Sequence, residues 1–216
     1  DTFDRDQFHT GSQVRFANGV ATRADIVTKI SKADLDMAIK VLKRNNTKFF
    51  TPKVDASQKV GQIAIRPGYI AFIHPDMTAD LELIDGFKYI DDYMSNTSLY
   101  DGEIGKYKNI RFIETTNGKV FTGAYALGVG SGAAKTAGYQ NDGTYGSVFC
   151  CLIMGAEALG VTDINELTTQ SIFKGLGSAG TNDPLDQVQT AGWKAAHCAE
   201  ILKDDWVYRI EALVTA

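Results

Sequence analysis

The sequence predicts a mixed α and β protein, and three observations support this prediction. Residues 31–44 carry the period of an amphipathic helix together with a capping signal. Residues 69–73 and 145–154 are continuous apolar runs, which is typical of strands buried on both faces. Apolar residues alternate with more polar ones over residues 193–201, as in a strand with one covered face. A chain of 216 residues can form one large domain or two small ones around a real core.

The helix at residues 31–44 is predicted from its start and from its period. Ser31 followed by Asp34 is a capping pattern, and apolar residues then recur at intervals of three and four. Lys40, Lys43 and Arg44 fill its end, where they complement the helix dipole. No aromatic residue is interleaved among them for base stacking. We therefore interpret the cluster as a solvated helix end rather than as a nucleic-acid patch.

Further elements are predicted along the chain. The run at residues 69–73 is expected to be a central strand, in which Phe72→Ala costs about 3 to 5 kcal/mol. A second strand is predicted at residues 110–115. Residues 116–146, rich in small and polar residues, predict an extended loop or a β-rich excursion. Residues 1–8 have the pattern of the end of a helix, which stops at a glycine-containing turn.

The C-terminal residues predict a β-hairpin between residues 192–202 and 206–213, and the alanines within residues 195–199 leave a helix there as an alternative. A hairpin alone is only marginally stable in water, so one of its faces needs cover. We expect the helix end at residues 1–8 to supply part of this cover through Phe3 and Phe8. The two ends of the chain are therefore predicted to meet.

Composition and charge argue against several classes of protein. Hydrophobic residues make up 44% and charged residues 22%, which are ordinary globular values. No apolar run approaches the roughly 18 to 20 residues that span a bilayer. The first twenty residues are polar and charged, unlike a secretory leader. A net charge of −4 argues against a protein whose main task is to hold nucleic acid, and leaves open a weak or local contact.

The cysteines do not suggest disulfides or a zinc site. The chain has three, Cys150, Cys151 and Cys198, of which two are adjacent in an apolar run. An odd count without any C-x-x-C spacing is no disulfide framework and no zinc pattern. We predict reduced, buried thiols, which fits synthesis in a reducing cytoplasm.

One glycine-rich segment, from Gly128 to Thr136 (GVGSGAAKT), imitates a phosphate-binding loop. A P-loop needs glycines at two positions where this chain has Val129 and Ala134. The dinucleotide pattern G-x-G-x-x-A fits the first six residues, but no amphipathic helix follows them. We interpret the segment as a flexible loop. A nucleotide-binding enzyme domain that uses it is retained as an alternative function.

No catalytic, cofactor-binding or metal-binding residues are predicted, and the protein is expected not to be an enzyme. The histidines His9, His74 and His197 stand in no metal-ligand spacing. His74 with the next two residues, Pro75 and Asp76, is interpreted as a strand end followed by a helix start. Paired acids at residues 91–92 and 204–205 lie in polar or turn contexts, where solvated carboxylates are the norm.

A resemblance to a known family rests on three stretches taken together. They are residues 69–83 (YIAFIHPDMTADLEL), 102–114 (GEIGKYKNIRFIE) and 192–211 (GWKAAHCAEILKDDWVYRIE), with PLDQ at 184–187 ahead of the last. Each resembles the corresponding stretch of tailed-phage major capsid proteins of the type found in the podovirus N-four. The resemblance runs in order along nearly the whole chain and is weakest over residues 116–146.

The resemblance implies an α+β subunit with the Hong-Kong-97-type capsid fold. It implies a peripheral domain at residues 1–24 and 186–216, formed by the end of the spine helix and the C-terminal β-hairpin. It implies an axial domain at residues 25–185. The N-terminal arm, the extended loop and most of the spine helix are expected to precede Asp1. The sequence is therefore expected to be a portion of a longer product.

The implied function is that of a structural subunit of an icosahedral bacteriophage capsid, which self-assembles into the shell that encloses the genome. The implied partners are copies of the chain itself and other virion proteins, such as portal, scaffold or decoration proteins. Contact with packaged DNA is expected to be weak or indirect, and no membrane is involved. The implied location is the virion capsid, assembled in the bacterial host cytoplasm. A bacterial compartment shell protein of the same fold is a further alternative.

Overall fold

The computed structural model describes residues 2–50, 67–92, 100–126, 145–163, 170–178, 182, 185 and 187–215. The chain divides into two compact units. The first unit comprises residues 1–159 and 201–216, and the second comprises residues 160–200. Both helices and strands are present, as the sequence predicts.

Three α-helices lie in the described part of the first unit: α1 (Thr2–Phe8), α2 (Lys32–Arg44) and α3 (Thr78–Glu82). The predicted helix at residues 31–44 is confirmed as α2. Its cap is Ser31, whose hydroxyl oxygen accepts a hydrogen bond from the backbone N–H of Asp34. The helix end predicted for residues 1–8 is α1. Of the helices in the described ranges, none has the length and apolar character needed to cross a bilayer.

Twelve strands lie in the described ranges. In chain order they are β1 (Val14–Phe16), β2 (Tyr69–Ile73), β3 (Phe87–Tyr89), β4 (Glu103–Tyr107), β5 (Ile110–Glu114), β6 (Val120–Ala126), β7 (Tyr145–Met154), β8 (Leu159–Asp163), β9 (Gln170–Lys174), β10 (Thr190–Lys194), β11 (His197–Ile201) and β12 (Val207–Ala212). The predicted strands at residues 69–73, 110–115 and 145–154 are confirmed as β2, β5 and β7. Within residues 116–146, β6 is described, and residues 127–144 lie outside the described part.

One large sheet dominates the first unit. Its strand order is β1-β12-β7-β2-β5-β4-β3, and β6 also pairs with β7. The pairs β1–β12 and β2–β5 are parallel, and the remaining pairs are antiparallel. The ten-residue strand β7 holds the sheet together. It pairs with β12 on one side, and with β2 and then β6 on the other.

The two faces of this sheet bury different clusters of apolar side chains. The main core lies on the face that packs against α2 and α3, where Tyr69, Ala71 and Ile73 of β2 are fully buried. A smaller cluster lies on the other face around Trp206, and Phe72 is packed against it only partly buried. Alternation along a strand explains this division, because successive side chains point to opposite faces.

The strands at the C-terminus pair differently from the predicted hairpin. Residues 192–202 are mainly extended, as predicted, but they divide between β10 and β11. Since β11 pairs with β8, while β12 pairs with β7 and β1, the predicted hairpin of residues 192–202 with 206–213 is wrong. A 3₁₀ turn at Asp204–Trp206 separates the two segments. Burial of Trp206 anchors this turn, and the chain then enters the large sheet.

The prediction that the chain ends meet is confirmed for residues 206–213, whereas residues 192–200 belong to the second unit. The side chain of Phe3, the other predicted contact, lies outside the described part of the chain. At the end of α1, Phe8 packs against the small cluster that contains Trp206 and Val207. The backbone N–H of Ser12 donates to the Oδ1 atom of Asp204 at 2.9 Å. Immediately after this contact, β1 pairs in parallel with β12. The two ends of the chain therefore complete one edge of the large sheet.

The compact units do not coincide with the predicted domain boundaries. Strands β1 and β12, predicted to be peripheral, share a sheet with β2, β5 and β7, predicted to be axial. The terms axial and peripheral refer to positions in an assembled shell, which a single chain does not display. The assignment of residues 1–24 with 186–216 and of residues 25–185 therefore stays a prediction.

Candidate assembly surface

The two adjacent cysteines are buried in β7 and have no sign of activation. Cys150 and Cys151 are free thiols within the sheet, in agreement with the prediction of reduced, buried cysteines. Burial raises the pKa of Cys150 well above its usual range and that of Cys151 to about 12. A thiol must ionise to act as a nucleophile or metal ligand, so both remain protonated near neutral pH. The third cysteine, Cys198, is exposed, which corrects the prediction of burial for that residue.

His74 and Asp76 serve the start of a helical segment, as predicted. The Nδ1 atom of His74 accepts a hydrogen bond from the backbone N–H of Asp76 at 3.3 Å. Pro75 is the first residue of the 3₁₀ turn Pro75–Met77, which leads into α3. Among the residues described, no group of three or more His, Cys, Asp or Glu is placed to hold a metal ion.

Of the remaining residues considered as functional candidates in the sequence, only some lie in the described part of the chain. The segment from Gly128 to Thr136 lies outside the described residues. The acid pair Asp91 and Asp92 is exposed in a 3₁₀ turn. Asp204 has a structural task, since it accepts hydrogen bonds from the backbone and side chain of Ser12.

The second unit exposes large apolar side chains. Its two-stranded sheet of β9 and β10, called the β9–β10 ribbon below, is exposed at every residue of both strands. Most of the exposed large apolar side chains of the described chain belong to this unit. They are Val161, Ile172, Phe173, Leu176, Leu185, Val188 and Trp193. Monomeric soluble proteins rarely leave extended apolar patches uncovered, so this unit has the character of an interaction surface.

The register of the ribbon collects its aromatic residues on one face. Ser171 lies opposite Trp193, and Phe173 lies opposite Ala191. Directly opposed residues share a face, and so do alternate residues of one strand. These four residues therefore form one face, which we call the ribbon face. Its two aromatic side chains are 79% exposed at Phe173 and 76% exposed at Trp193.

The opposite face of the ribbon has a different composition. Gln170, Lys174, Thr190 and Lys194 lie on it, together with Ile172. The ribbon thus has one aromatic face and one mainly polar face, and both faces are exposed. Exposed aromatic side chains of this size are enriched in the buried centres of protein interfaces. The sequence signal was the alternation around Trp193. It predicted a strand with a covered face, but Trp193 is exposed and Phe173 was not identified.

Sequence comparison identifies no relative, whereas comparison of folds identifies several. No protein-family model matches the sequence, and no curated protein matches it. The fold is similar to a solved structure described as the capsid of Ralstonia phage GP4, with a TM-score of 0.61 and 13% identity over 95% of this chain and 53% of that chain. It is similar to the head structure of Helicobacter pylori bacteriophage KHP40, with a TM-score of 0.55 and 13% identity over 98% and 63% of the two chains.

A structure from Mycobacterium phage Che8 gives a TM-score of 0.52 at 11% identity, over 97% of this chain and 57% of that chain. The present chain thus spans between about half and two thirds of the length of these proteins. The N-four-like type is not distinguished by these matches and stays a prediction. Similarity at this level of identity concerns the fold. The chain has the fold of phage capsid proteins, which confirms the predicted α+β fold of the Hong-Kong-97 type.

Proposed function

We propose that the chain is a structural subunit of a bacteriophage capsid, which assembles with copies of itself into the shell around the genome. The observation that carries this proposal is the fold match over 95% of the chain to the capsid of a Ralstonia phage. A shell subunit needs a rigid core and apolar surface available to its neighbours. The large sheet and the ribbon face meet these two needs.

We propose that the ribbon face is a contact with another copy of the chain. Closed shells repeat one set of contacts by symmetry, so each copy must offer apolar surface to a neighbour. Phe173 and Trp193 are rigid aromatic side chains, which lose little conformational entropy when they are buried. Further proposed partners are portal, scaffold or decoration proteins. The proposed location is the virion capsid, with assembly in the cytoplasm of the bacterial host.

The division into axial and peripheral domains is also a proposal. The boundaries predicted from the sequence fall at residues 24/25 and 185/186. Because β1 and β12 share one sheet with β2 and β7, the boundaries at 159/160 and 200/201 are the competing ones to test. Fitting the chain into a map of an assembled shell would distinguish the two divisions.

The test of the function is electron microscopy of the full-length product, expressed in bacteria and purified. We expect closed shells or capsomer-sized rings in negative stain. A homogeneous monomer at high protein concentration, with saturable ATP binding that is lost in Lys135→Ala, would support the nucleotide-binding enzyme instead. Shells that consistently enclose a protein cargo and never DNA would support a bacterial compartment protein.

A further inference from the structure

A shallow groove on the first unit is lined by basic side chains. One wall is the exposed side of α2, with Lys40, Lys43 and Arg44. The other wall is the turn between β4 and β5, with Lys108 and Asn109. Asp36 is the single carboxylate among the lining residues. This basic groove therefore holds four positive charges against one negative charge, in a chain whose net charge is −4.

The one carboxylate is already engaged. Asp36 accepts hydrogen bonds from the Nζ atom of Lys108 at 2.5 Å and from the hydroxyl of Tyr107 at 2.9 Å. These contacts lower the pKa of Asp36, with the Lys108 hydrogen bond as the largest cause. Lys40, Lys43 and Arg44 make no ion pair with any residue that the structure describes. Within the described part of the chain, three cations thus have no anionic partner and can meet an external anion.

The three cations are not needed to complete the end of α2. The carbonyls of Val41, Leu42 and Lys43 accept hydrogen bonds from the backbone N–H groups of residues 45, 47 and 46, respectively. The carbonyl of Asn45 accepts from the indole N–H of Trp206 at 3.1 Å. Main-chain and indole donors therefore satisfy four carbonyls at this helix end, of the kind that basic side chains often cap. The dipole still favours positive charge there, but it requires no direct contact.

Both walls of the groove are held in place. The carbonyl of Asn109 accepts a hydrogen bond from the N–H of Tyr69 at 2.7 Å, which ties the β4–β5 turn to the central strand β2. A Cβ atom at Gly68 would lie 2.6 Å from this carbonyl, so the approach depends on glycine. On the other wall, Leu35 and Leu42 anchor the buried side of α2 in the main core. The cations thus project from a preorganised surface.

We propose that the basic groove binds the phosphodiester backbone of duplex DNA, a contact that rests on the proposed function of enclosing a genome. This revises the sequence interpretation of residues 40, 43 and 44 as a solvated helix end, because the structure places a second basic wall at Lys108 beside them. Lys and Arg neutralise phosphates without reading sequence. None of the described residues that line the groove is aromatic, so base stacking on a single strand is not its chemistry. The positions 40, 43 and 44 lie on one side of the helix, within one turn. Duplex DNA carries about one negative charge per 1.7 Å of its axis, so neighbouring cations can meet phosphates in any register, and the release of condensed counterions favours the contact.

The experiment is fluorescence anisotropy of a labelled duplex of about 20 base pairs, titrated with purified protein between about 20 and 150 mM NaCl, the range in which phosphate contacts lose affinity steeply. The test variant is Lys40→Gln, Lys43→Gln, Arg44→Gln. The control variant is Lys88→Gln, Lys174→Gln, Lys194→Gln, which removes three exposed charges elsewhere. Each variant changes the net charge by three, from −4 to −7. All six side chains are exposed, and equal thermal melting temperatures would show that folding is preserved.

We expect the wild type to bind with a salt slope of about −2.7 in log affinity against log salt, at about 0.9 for each of three phosphate contacts. The test variant should lose at least about tenfold in affinity at the lowest salt concentration, with a slope near zero. The control should stay within about threefold of the wild type. Equal losses in both variants would overturn the proposal, since the attraction would then follow overall charge.

Two further outcomes are decisive. No binding of the duplex by the wild type at the lowest salt concentration would also overturn the proposal. Tighter binding of poly-glutamate than of the duplex would replace DNA by an acidic protein partner. The proposal and the proposed function can fail separately. If the protein forms closed shells but the groove does not bind DNA, only the proposal for the groove is refuted. If the protein binds DNA but never assembles, only the proposed function as a shell subunit is refuted.

Discussion

The side chains of β2 and β5 show how strongly burial differs between the two faces of one sheet. Phe112 of β5 is fully buried in the main core, where its ring centroid lies 5.9 Å from that of Phe87. Phe72 of β2 faces the smaller cluster and is only partly buried. The strand is central, as its apolar run predicted, but its two faces are not equally covered. The cost of truncation should follow this difference.

Phe112→Ala is expected to lower the free energy of unfolding by about 3 to 5 kcal/mol, because a fully enclosed aromatic leaves a cavity that cannot collapse completely. Phe72→Ala, predicted from the sequence to cost as much, should cost about half of that. Urea titrations followed by circular dichroism would measure both. Equal losses would mean that the face around Phe72 is more completely buried in solution.

Protonation of His9, which follows the end of α1, makes the stability of the fold depend on pH. Its Nδ1 atom lies 2.6 Å from the carbonyl oxygen of Arg5, and the ring is partly buried. Burial is the largest influence on this imidazole, and it lowers the pKa from the ordinary value of 6.5. The unfolded chain therefore binds a proton at a higher pH than the folded chain does. Stability is fully present above about pH 6.5 and decreases as the pH falls below it.

Between about pH 7.5 and 5.5, the wild type should lose up to about 1.4 kcal/mol more stability than His9→Gln, whose side chain does not titrate. Carboxylates contribute equally to both proteins, so the difference isolates the histidine. Urea midpoints at the two pH values provide the measurement. A wild type that becomes relatively more stable at the lower pH would contradict a lowered pKa of His9.

At the scale of elements, α2 is held at its start by a buried carboxylate. Asp34 is completely buried and accepts hydrogen bonds from Nε of Arg15 at 2.7 Å and from Oγ of Ser31 at 2.6 Å. The capping pattern predicted a helix start, and this is confirmed. It did not predict that Asp34 also ties the helix to β1 through Arg15, because that partner lies 19 residues away.

Asp34→Ala should therefore cost more than loss of a cap. We expect about 3 kcal/mol, since Arg15 is left without its buried partner. Ser31→Ala should cost about 1 kcal/mol. Lys32→Ala, at an exposed ion pair with Asp85, should cost the least of the three. Thermal or urea unfolding of the three variants checks this order. If Ser31→Ala and Asp34→Ala lowered the free energy of unfolding equally, the contact between Arg15 and Asp34 would contribute nothing to stability.

Local patterns predicted most elements, whereas strand partners depended on contacts that no local pattern contains. Period and capping located α2, and apolar runs located β2, β5 and β7. The alternation over residues 193–201 correctly indicated extended chain, but any strand with a free edge can accept such a segment. Burial of Trp206 directs the following residues to β7 instead of back onto β11. The exposed Phe173 escaped prediction because residues 164–176 fit both helix and strand.

At the scale of the whole molecule, the aromatic side chains of the ribbon face are exposed, whereas those of the main core are buried. We expect Phe173→Ser combined with Trp193→Ser to reduce the fraction of assembled full-length protein at least about fivefold, because aromatic side chains dominate interface energies. The melting temperature of the first unit should change by less than about 2 °C, since both side chains are exposed.

The matched control for this double variant is Lys174→Ser combined with Lys194→Ser, on the opposite face of the same ribbon. Sedimentation velocity gives the assembled fraction, and calorimetry gives the melting temperature. Unchanged assembly, or equal losses in both double variants, would exclude the ribbon face as a contact between copies. A large fall in melting temperature with unchanged assembly would instead mean that another segment of the same protein covers it.

The pairing of β1 with β12 has a consequence for synthesis. Arg23 near the start binds Glu211 near the end, across 188 residues, at 2.8 Å between Nη2 and Oε1. At bacterial rates of about 5 to 20 residues per second, the ribosome needs about 10 to 40 s to make the intervening chain. Strand β7 ends at Met154 and β12 begins at Val207. For roughly the last 3 to 10 s of that interval, at the same rate, β7 is present without β12, and one of its edges is open to foreign strands. A nascent chain is thus exposed to aggregation along this edge until β12 has emerged from the ribosome.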